Sequence, residues 1–177
     1  MSGVIAAAEL AMNEPLPPQA AHYMKIILSS ANSLLVLIND ILDFSKIEAG
    51  KLNIEQRLFM LDEIVDRVVD LFFNSAAAKQ IELLVDIDPE TPRALVGDPL
   101  RFQQILTNLV GNAVKFTEKG GYILIGAKAS EVSNNEVTLE VWVKDTGVGI
   151  SPEFMANLFE PFTQADGSDT RRYEGTG

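Results

Sequence analysis

Apolar side chains recur at helical spacing early in the chain. Met24, Ala31, Ile38 and Ser45 fall seven residues apart, and Ile27, Leu28, Leu34, Leu35, Ile41 and Leu42 fill the turns between them. This pattern predicts a long amphipathic helix from about Gln19 to Glu48, and Gly50 behind it suits a left-handed cap. Ahead of it, Ser2 to Met12 is short and alanine-rich. The string Asn13-Glu14-Pro15-Leu16-Pro17-Pro18 then interrupts, because prolines cannot continue a helix. One short helix cannot cover so long an apolar stripe. The economical arrangement is a helical hairpin over residues 1–50 that pairs with a second copy through residues 2–12 and 19–48, giving a dimeric four-helix bundle. An intramolecular core helix is the alternative.

The pattern changes after Gly50, which marks a domain boundary, and residues 51–177 read as a second domain. Lys51 to Arg57 and Ile81 to Ile87 read as strands, Leu61 to Lys79 and Pro99 to Phe116 as helices. Two more strands follow, Tyr122 to Ala129 and Val137 to Lys144. The polar turn Ser133-Asn134-Asn135-Glu136 between them joins the two as an antiparallel hairpin. Helices interleaved with strands give an α+β fold class, a helical hairpin followed by a two-layer sandwich with a mixed sheet.

Composition narrows the function. With 177 residues and 47% hydrophobic content, the chain is long and apolar enough for a full core and is not a disordered segment. A formal net charge of -11 speaks against nucleic acid or an anionic membrane surface as a partner. The absence of cysteine excludes disulfides and thiolate metal sites and fits a reducing cytoplasm. No signal peptide and no apolar run of the roughly 20 residues needed to span a bilayer is expected, so no direct membrane contact is expected.

Two stretches carry chemistry. On the helix Pro99 to Phe116, Asn108 and Asn112 are four apart and Lys115 lies three beyond, so the three project from one side. Ile105, Leu109 and Ala113 are expected to face the core. An Asn amide oxygen is a hard neutral ligand suited to Mg²⁺, and Lys115 offers a positive charge to phosphates in an otherwise acidic chain. A solvated helix face would look similar. The second stretch, Asp145-Thr146-Gly147-Val148-Gly149-Ile150, places an acid at a strand end. Its carboxylate can accept from an exocyclic amine such as that of adenine, while Gly147 and Gly149 let backbone approach a planar base. An ordinary turn has the same composition, and the pairing of the two stretches is what favours a nucleotide.

These stretches, followed by Phe159-Glu160-Pro161-Phe162 and Gly175-Thr176-Gly177, resemble in order and spacing the N, first glycine, F and second glycine boxes of sensor histidine kinases. The run Ile38-Asn39-Asp40-Ile41-Leu42-Asp43-Phe44-Ser45-Lys46-Ile47-Glu48-Ala49-Gly50 is similar to the end of the dimerisation helix in the hybrid branch of that family. The resemblance implies the histidine kinase and gyrase-type ATPase fold, with ATP and Mg²⁺ as cofactors. By the same resemblance, Asn112 ligates the metal, Asn108 supports the phosphate side, Lys115 contacts phosphate and Asp145 holds the adenine amine. Gly147 and Gly149 shape the base pocket. Phe159 and Phe162 either anchor an ATP lid over Thr163 to Glu174 or pack in the core. Within that lid Arg171 and Arg172 either reach the triphosphate or are solvated, and Gly175, Thr176 and Gly177 of the second glycine box are implied to bind the nucleotide.

The family's activity moves the γ-phosphoryl of ATP to a His and onward to an Asp of a response-regulator receiver domain. The phosphoacceptor box, with its His and neighbouring acid, is expected to lie ahead of Met1, so no catalytic residue is assigned in the chain and it is expected not to autophosphorylate. His22, beside the proline turn, does not fit that role. The strand and helix that close the sandwich are expected beyond Gly177, and Glu174 stands where the family has Gly. The region is expected to be cytoplasmic, within a parent anchored in the inner membrane. Two other readings remain: a degenerate kinase acting as a dimerising interaction module, and a gyrase- or chaperone-type ATPase, which would have Glu where Asn108 stands.

Overall fold

A computed structural model describes residues 2–133, 136–156 and 158, in two compact units that divide between Asn53 and Ile54. The first unit is a helical hairpin. Helix α1 (Ser2–Met12) stops in a turn where Asn13 N–H donates to Leu10 O and Glu14 N–H to Ala11 O. Helix α2 (Pro18–Glu48) starts with Pro18 at its first turn, where a missing N–H costs nothing. It ends as expected at Gly50, with φ +62. Gly50 N–H donates to Ile47 O and Lys51 N–H to Lys46 O, the paired bonds of a Schellman cap.

Within this unit Ala8 and Ala31 are the buried apolar side chains among the described residues, while Ile27, Leu34, Ile38, Ile41 and Leu42 are exposed. The stripe is thus uncovered within one chain, as a bundle half requires. Contrary to expectation, α2 is long enough and, over an 18-residue window of mean hydropathy 1.5, apolar enough to cross a membrane by length and composition. That measure ignores direction around the helix. Ser29, Asn32, Ser33 and Asn39 lie on the side away from Ile27, Leu34, Ile38 and Ile41, with Val36 among them, so the helix has one side richer in polar groups.

The second unit runs β1 (Arg57–Met60), α3 (Leu61–Ala78), β2 (Glu82–Ile87), β3 (Ala94–Gly97), α4 (Pro99–Phe116), β4 (Tyr122–Ser133), β5 (Glu136–Asp145) and the short α5 (Pro152–Met155). The expected mixed sheet is present, and a separate two-stranded ribbon, which was not expected, accompanies it. A three-stranded sheet has the order β2-β4-β5, parallel then antiparallel, and a two-stranded antiparallel ribbon pairs β1 with β3. The first strand therefore lies at Arg57–Met60 rather than Lys51 to Arg57. The alternation at Leu52 and Ile54 has no described strand to pair with, whereas Leu58 sits opposite Val96 and Phe59 opposite Leu95.

The core lies between the helices and the three-stranded sheet. Leu61, Ile64, Val65 and Val68 of α3 follow helical spacing, and Ile123, Ile125 and Ala127 of β4 alternate at period two. From α4 come Leu106, Val110, Ala113 and Val114. Ile105 and Leu109, expected in the core, are instead 59% and 43% exposed; only Ala113 of that trio is buried. Helix α4 has two adjacent apolar rows, and packing against α3 and the sheet selects the row that starts at Leu106. Each large aliphatic side chain buried this way contributes about 1.5–3 kcal/mol.

Candidate functional site

Helix α4 is held at both ends. At its start Asp98 caps the helix, one carboxylate oxygen accepting from Arg101 N–H at 3.0 Å and the other from Glu55 N–H at 3.1 Å. The Arg101 and Glu55 amides hold the Asp98 carboxyl below the ordinary carboxylate range. At the far end the Lys79 ammonium donates to Val114 O at 2.7 Å, Lys115 O at 3.0 Å and Thr117 O at 3.4 Å. The last carbonyls of a helix have no partner within it, and here a cation from the α3–β2 turn supplies one.

Between these ends Asn108, Asn112 and Lys115 fall within about 60° of one another around the axis, given ~100° per residue. Both asparagines are exposed and Lys115 is half-buried. The Lys115 Nζ lies 4.9 Å from the centre of the Phe116 ring, a cation–π contact that holds the charge at this end of the helix.

The acid-glycine stretch leaves β5 directly against that end. Asp145 is the last residue of β5 and pairs with Ile123 of β4. Thr146 continues the ladder, with its N–H donating to Tyr122 O at 3.2 Å and its Oγ1 accepting from Tyr122 N–H at 3.0 Å. Gly147 N–H donates to Asp145 Oδ1 at 2.8 Å, an Asx turn that fixes one carboxylate oxygen. Val148 N–H then donates to Phe116 O at 3.4 Å. A Cβ at Gly147 would lie 2.6 Å from that Phe116 oxygen, so only glycine permits the contact. Gly149 has φ +73, the left-handed region where glycine carries no Cβ penalty.

The two predicted stretches therefore meet. Asn108, Asn112 and Lys115 stand on a helix whose last carbonyl touches the loop of Asp145, Gly147 and Gly149. Arg171, Arg172, Gly175, Thr176 and Gly177 lie outside the described residues, as do Phe159, Phe162 and the lid segment 163–174. Reading by residue type passed over Asp98, Thr146 and Lys79. Asp98-Pro99 carries the usual signal of a capped helix start and was readable. Lys79 carries no local signal, since its partners lie 35 to 38 positions away.

Comparison with known proteins gives the same two-part division. Residues 1–50 match the His Kinase A (phospho-acceptor) domain, and residues 97–177 match the histidine kinase-, DNA gyrase B- and HSP90-like ATPase family. The signal transduction histidine-protein kinase BarA of Escherichia coli K12 is 46% identical over all of this chain. The chain belongs to the histidine kinases. Hybrid signal transduction histidine kinase L of Dictyostelium discoideum, another relative, is 45% identical over the whole chain. This kinase chain spans 19% of the length of the first relative and 10% of the second.

Among solved structures, full-length ShkA in complex with AMPPNP aligns with a TM-score of 0.74 at 31% identity, over 95% of this chain and 35% of that one. The histidine kinase ThkA in complex with response regulator protein TrrA aligns with a TM-score of 0.57 at 25% identity, over 91% and 46%. The histidine kinase fold is thereby established for this chain, with helices plus a mixed three-stranded sheet. Residues 51–96, between the two matched segments, include Lys79.

Proposed function

We propose that this chain is the ATP-binding catalytic core of a hybrid sensor histidine kinase. In that reading the γ-phosphoryl of Mg·ATP passes to a histidine of the phosphoacceptor box and from there to an aspartate of a receiver domain. The observation that carries it is the closure of Gly147 onto the Phe116 carbonyl, which joins the asparagine face of α4 to the Asp145 loop. Family membership and the AMPPNP-bound ShkA relative support the nucleotide, and the ThkA–TrrA complex supports the receiver partner.

The donor set fits a magnesium nucleotide. Asn112 presents a neutral, exposed amide oxygen of the hard type that Mg²⁺ accepts, and Asn108 lies one turn before it toward the phosphate side. Bound there, the ion would neutralise charge on the phosphates. Lys115 adds a second positive charge, and the Asp145 oxygen left free by its turn accepts the adenine amine. Arg171, Arg172, Gly175, Thr176 and Gly177 complete the lid side. Such a site works by holding the phosphates in place and balancing charge, which is most of what phosphoryl transfer needs.

His22, the chain's single histidine, is exposed at the start of α2 and is given no part in the transfer. The uncovered stripe of α2 pairs with a second copy, so the working unit is a homodimer. We place the region in the cytoplasm, where ATP is, in a parent anchored in the inner membrane. Calorimetric titration with ATP tests the metal role: with Mg²⁺ present, Asn112→Ala should bind at least tenfold more weakly than wild type, and in EDTA the two should converge. Equal binding with Mg²⁺ would remove Asn112 from the site.

A further inference from the structure

We propose that Lys79 is a positioning residue for the nucleotide site, setting the end of α4 on which both walls of that site depend; this rests on the nucleotide reading above. The Lys79 ammonium reaches a residue assigned to ligand through the Lys115 backbone carbonyl. Its part is to fix where that backbone lies.

The turn that carries Lys79 is itself anchored. Gln80, with φ +55, ends α3 in a Schellman arrangement, in which Gln80 N–H donates to Ala77 O and Ile81 N–H to Ala76 O. Ala76 and Ile81 are both buried and clamp the turn from below. Lys79 O also accepts from Gly120 N–H at 3.3 Å, tying the turn to the segment just after α4. From this base the ammonium spans the carbonyls of Val114, Lys115 and Thr117. An ammonium carries three donors, which suits a cluster of carbonyls.

The remaining carbonyl in that stretch, Phe116 O, faces the other way, to Val148 N–H and Gly147. A Cβ at Gly147 would lie 2.6 Å from Phe116 O and 2.8 Å from Asp145 Oδ1, so carbonyl and carboxylate oxygens border the same small space. The negative end of the α4 dipole and the Asp145 carboxylate therefore stand close together. Lys79 places its positive charge on that same helix end, which offsets their repulsion and lets the acidic loop dock. Without the ammonium the last turn of α4 loses its carbonyl partners. Lys115 and the Phe116 contact with the loop would shift together.

The test uses the full chain with Lys79→Met, which keeps the stem and removes the donors, and Lys79→Arg, which restores donors. Two readouts are taken below the unfolding temperature of each variant: Mg·ATP affinity by calorimetry, and the backbone amide signals of Thr146, Gly147 and Val148 without nucleotide. The expected result is a tenfold or greater loss of affinity in Lys79→Met, recovery of at least half the lost binding energy in Lys79→Arg, and displaced amide signals in Lys79→Met alone. Unmoved amides, or affinity within twofold of wild type in folded Lys79→Met, would overturn the proposal. So would Lys79→Arg behaving like Lys79→Met. Moved amides in a chain whose wild type ignores Mg·ATP would instead refute the nucleotide reading while leaving Lys79 as the residue that sets the loop.

Discussion

The two units of this chain solve the burial problem in opposite ways. The α/β unit closes a core of its own, with α3, α4 and β4 each contributing a buried row. The hairpin leaves its row of large aliphatic side chains in water and buries only Ala8 and Ala31 among the described residues. One buries an apolar core within the chain; the other is half an interface, whose stability depends on protein concentration. The difference separates the two tasks that histidine kinases combine. A nucleotide site needs side chains held in fixed positions, and the α/β core supplies that. The hairpin holds an apolar surface in reserve for a second copy.

The contrast can be broken most forcefully in the core. Leu106→Ala, at a position 1% exposed, should destabilise the α/β unit by about 2–5 kcal/mol in denaturant unfolding. Leu34→Asp, on the exposed stripe of α2, should leave that unfolding transition in place while sedimentation shows the dimer dissociating. If Leu34→Asp lowered the α/β transition as much as Leu106→Ala, the two units would not be independent in the way described.

A smaller effect is expected where the two walls of the site touch. Gly147→Ala should cost tenfold or more in Mg·ATP affinity, about 1.4 kcal/mol, with little change in the unfolding midpoint, because the loop can swing away from Phe116 O without opening the core. Full affinity in Gly147→Ala would mean that this contact does not shape the pocket.

The smallest effect concerns the α4 cap. The Asp98 carboxyl is depressed in the folded chain, so its stabilising contribution is present above the ordinary carboxylate range and fades as pH falls through that range toward the folded value. Asp98→Asn, which still caps but does not titrate, should therefore lose less stability than wild type between pH 6 and pH 3 in thermal unfolding. Parallel pH profiles would remove the carboxylate's role. Asp98 is only half-buried, so a shallow difference is expected.

Most of the helical framework was legible because its signals are local. Pro99 to Phe116 has its observed bounds in the sequence, and the heptad stripe with Gly50 marks α2 and its cap. The ribbon of β1 and β3 was not legible. Ala94–Gly97 is too short to show a period, and its partner lies far back in the chain, so only tertiary pairing defines it. The choice between the Ile105–Leu109 row and the Leu106–Val110 row was equally hidden, since both are apolar and the neighbours of α4 decide.

The site divides along the same line. Asn108, Asn112, Lys115 and Asp145 were readable by residue type and spacing, because amide, ammonium, carboxylate and glycine each answer a need of a nucleotide. The parts that hold them were not. Lys79 acts on backbone carbonyls of a distant helix end, and Phe116 meets the loop through its backbone carbonyl, so neither role depends on a recognisable local pattern.

The α4 face and the β5 loop are proposed to form one adenine-nucleotide site. Calorimetric titration of Mg·ATP into the wild-type chain and into Asp145→Asn tests it most directly. Saturable Mg-dependent binding is expected of wild type, with a loss of at least tenfold in Asp145→Asn, whose amide at the adenine side no longer offers the carboxylate. Binding indifferent to that substitution would contradict it.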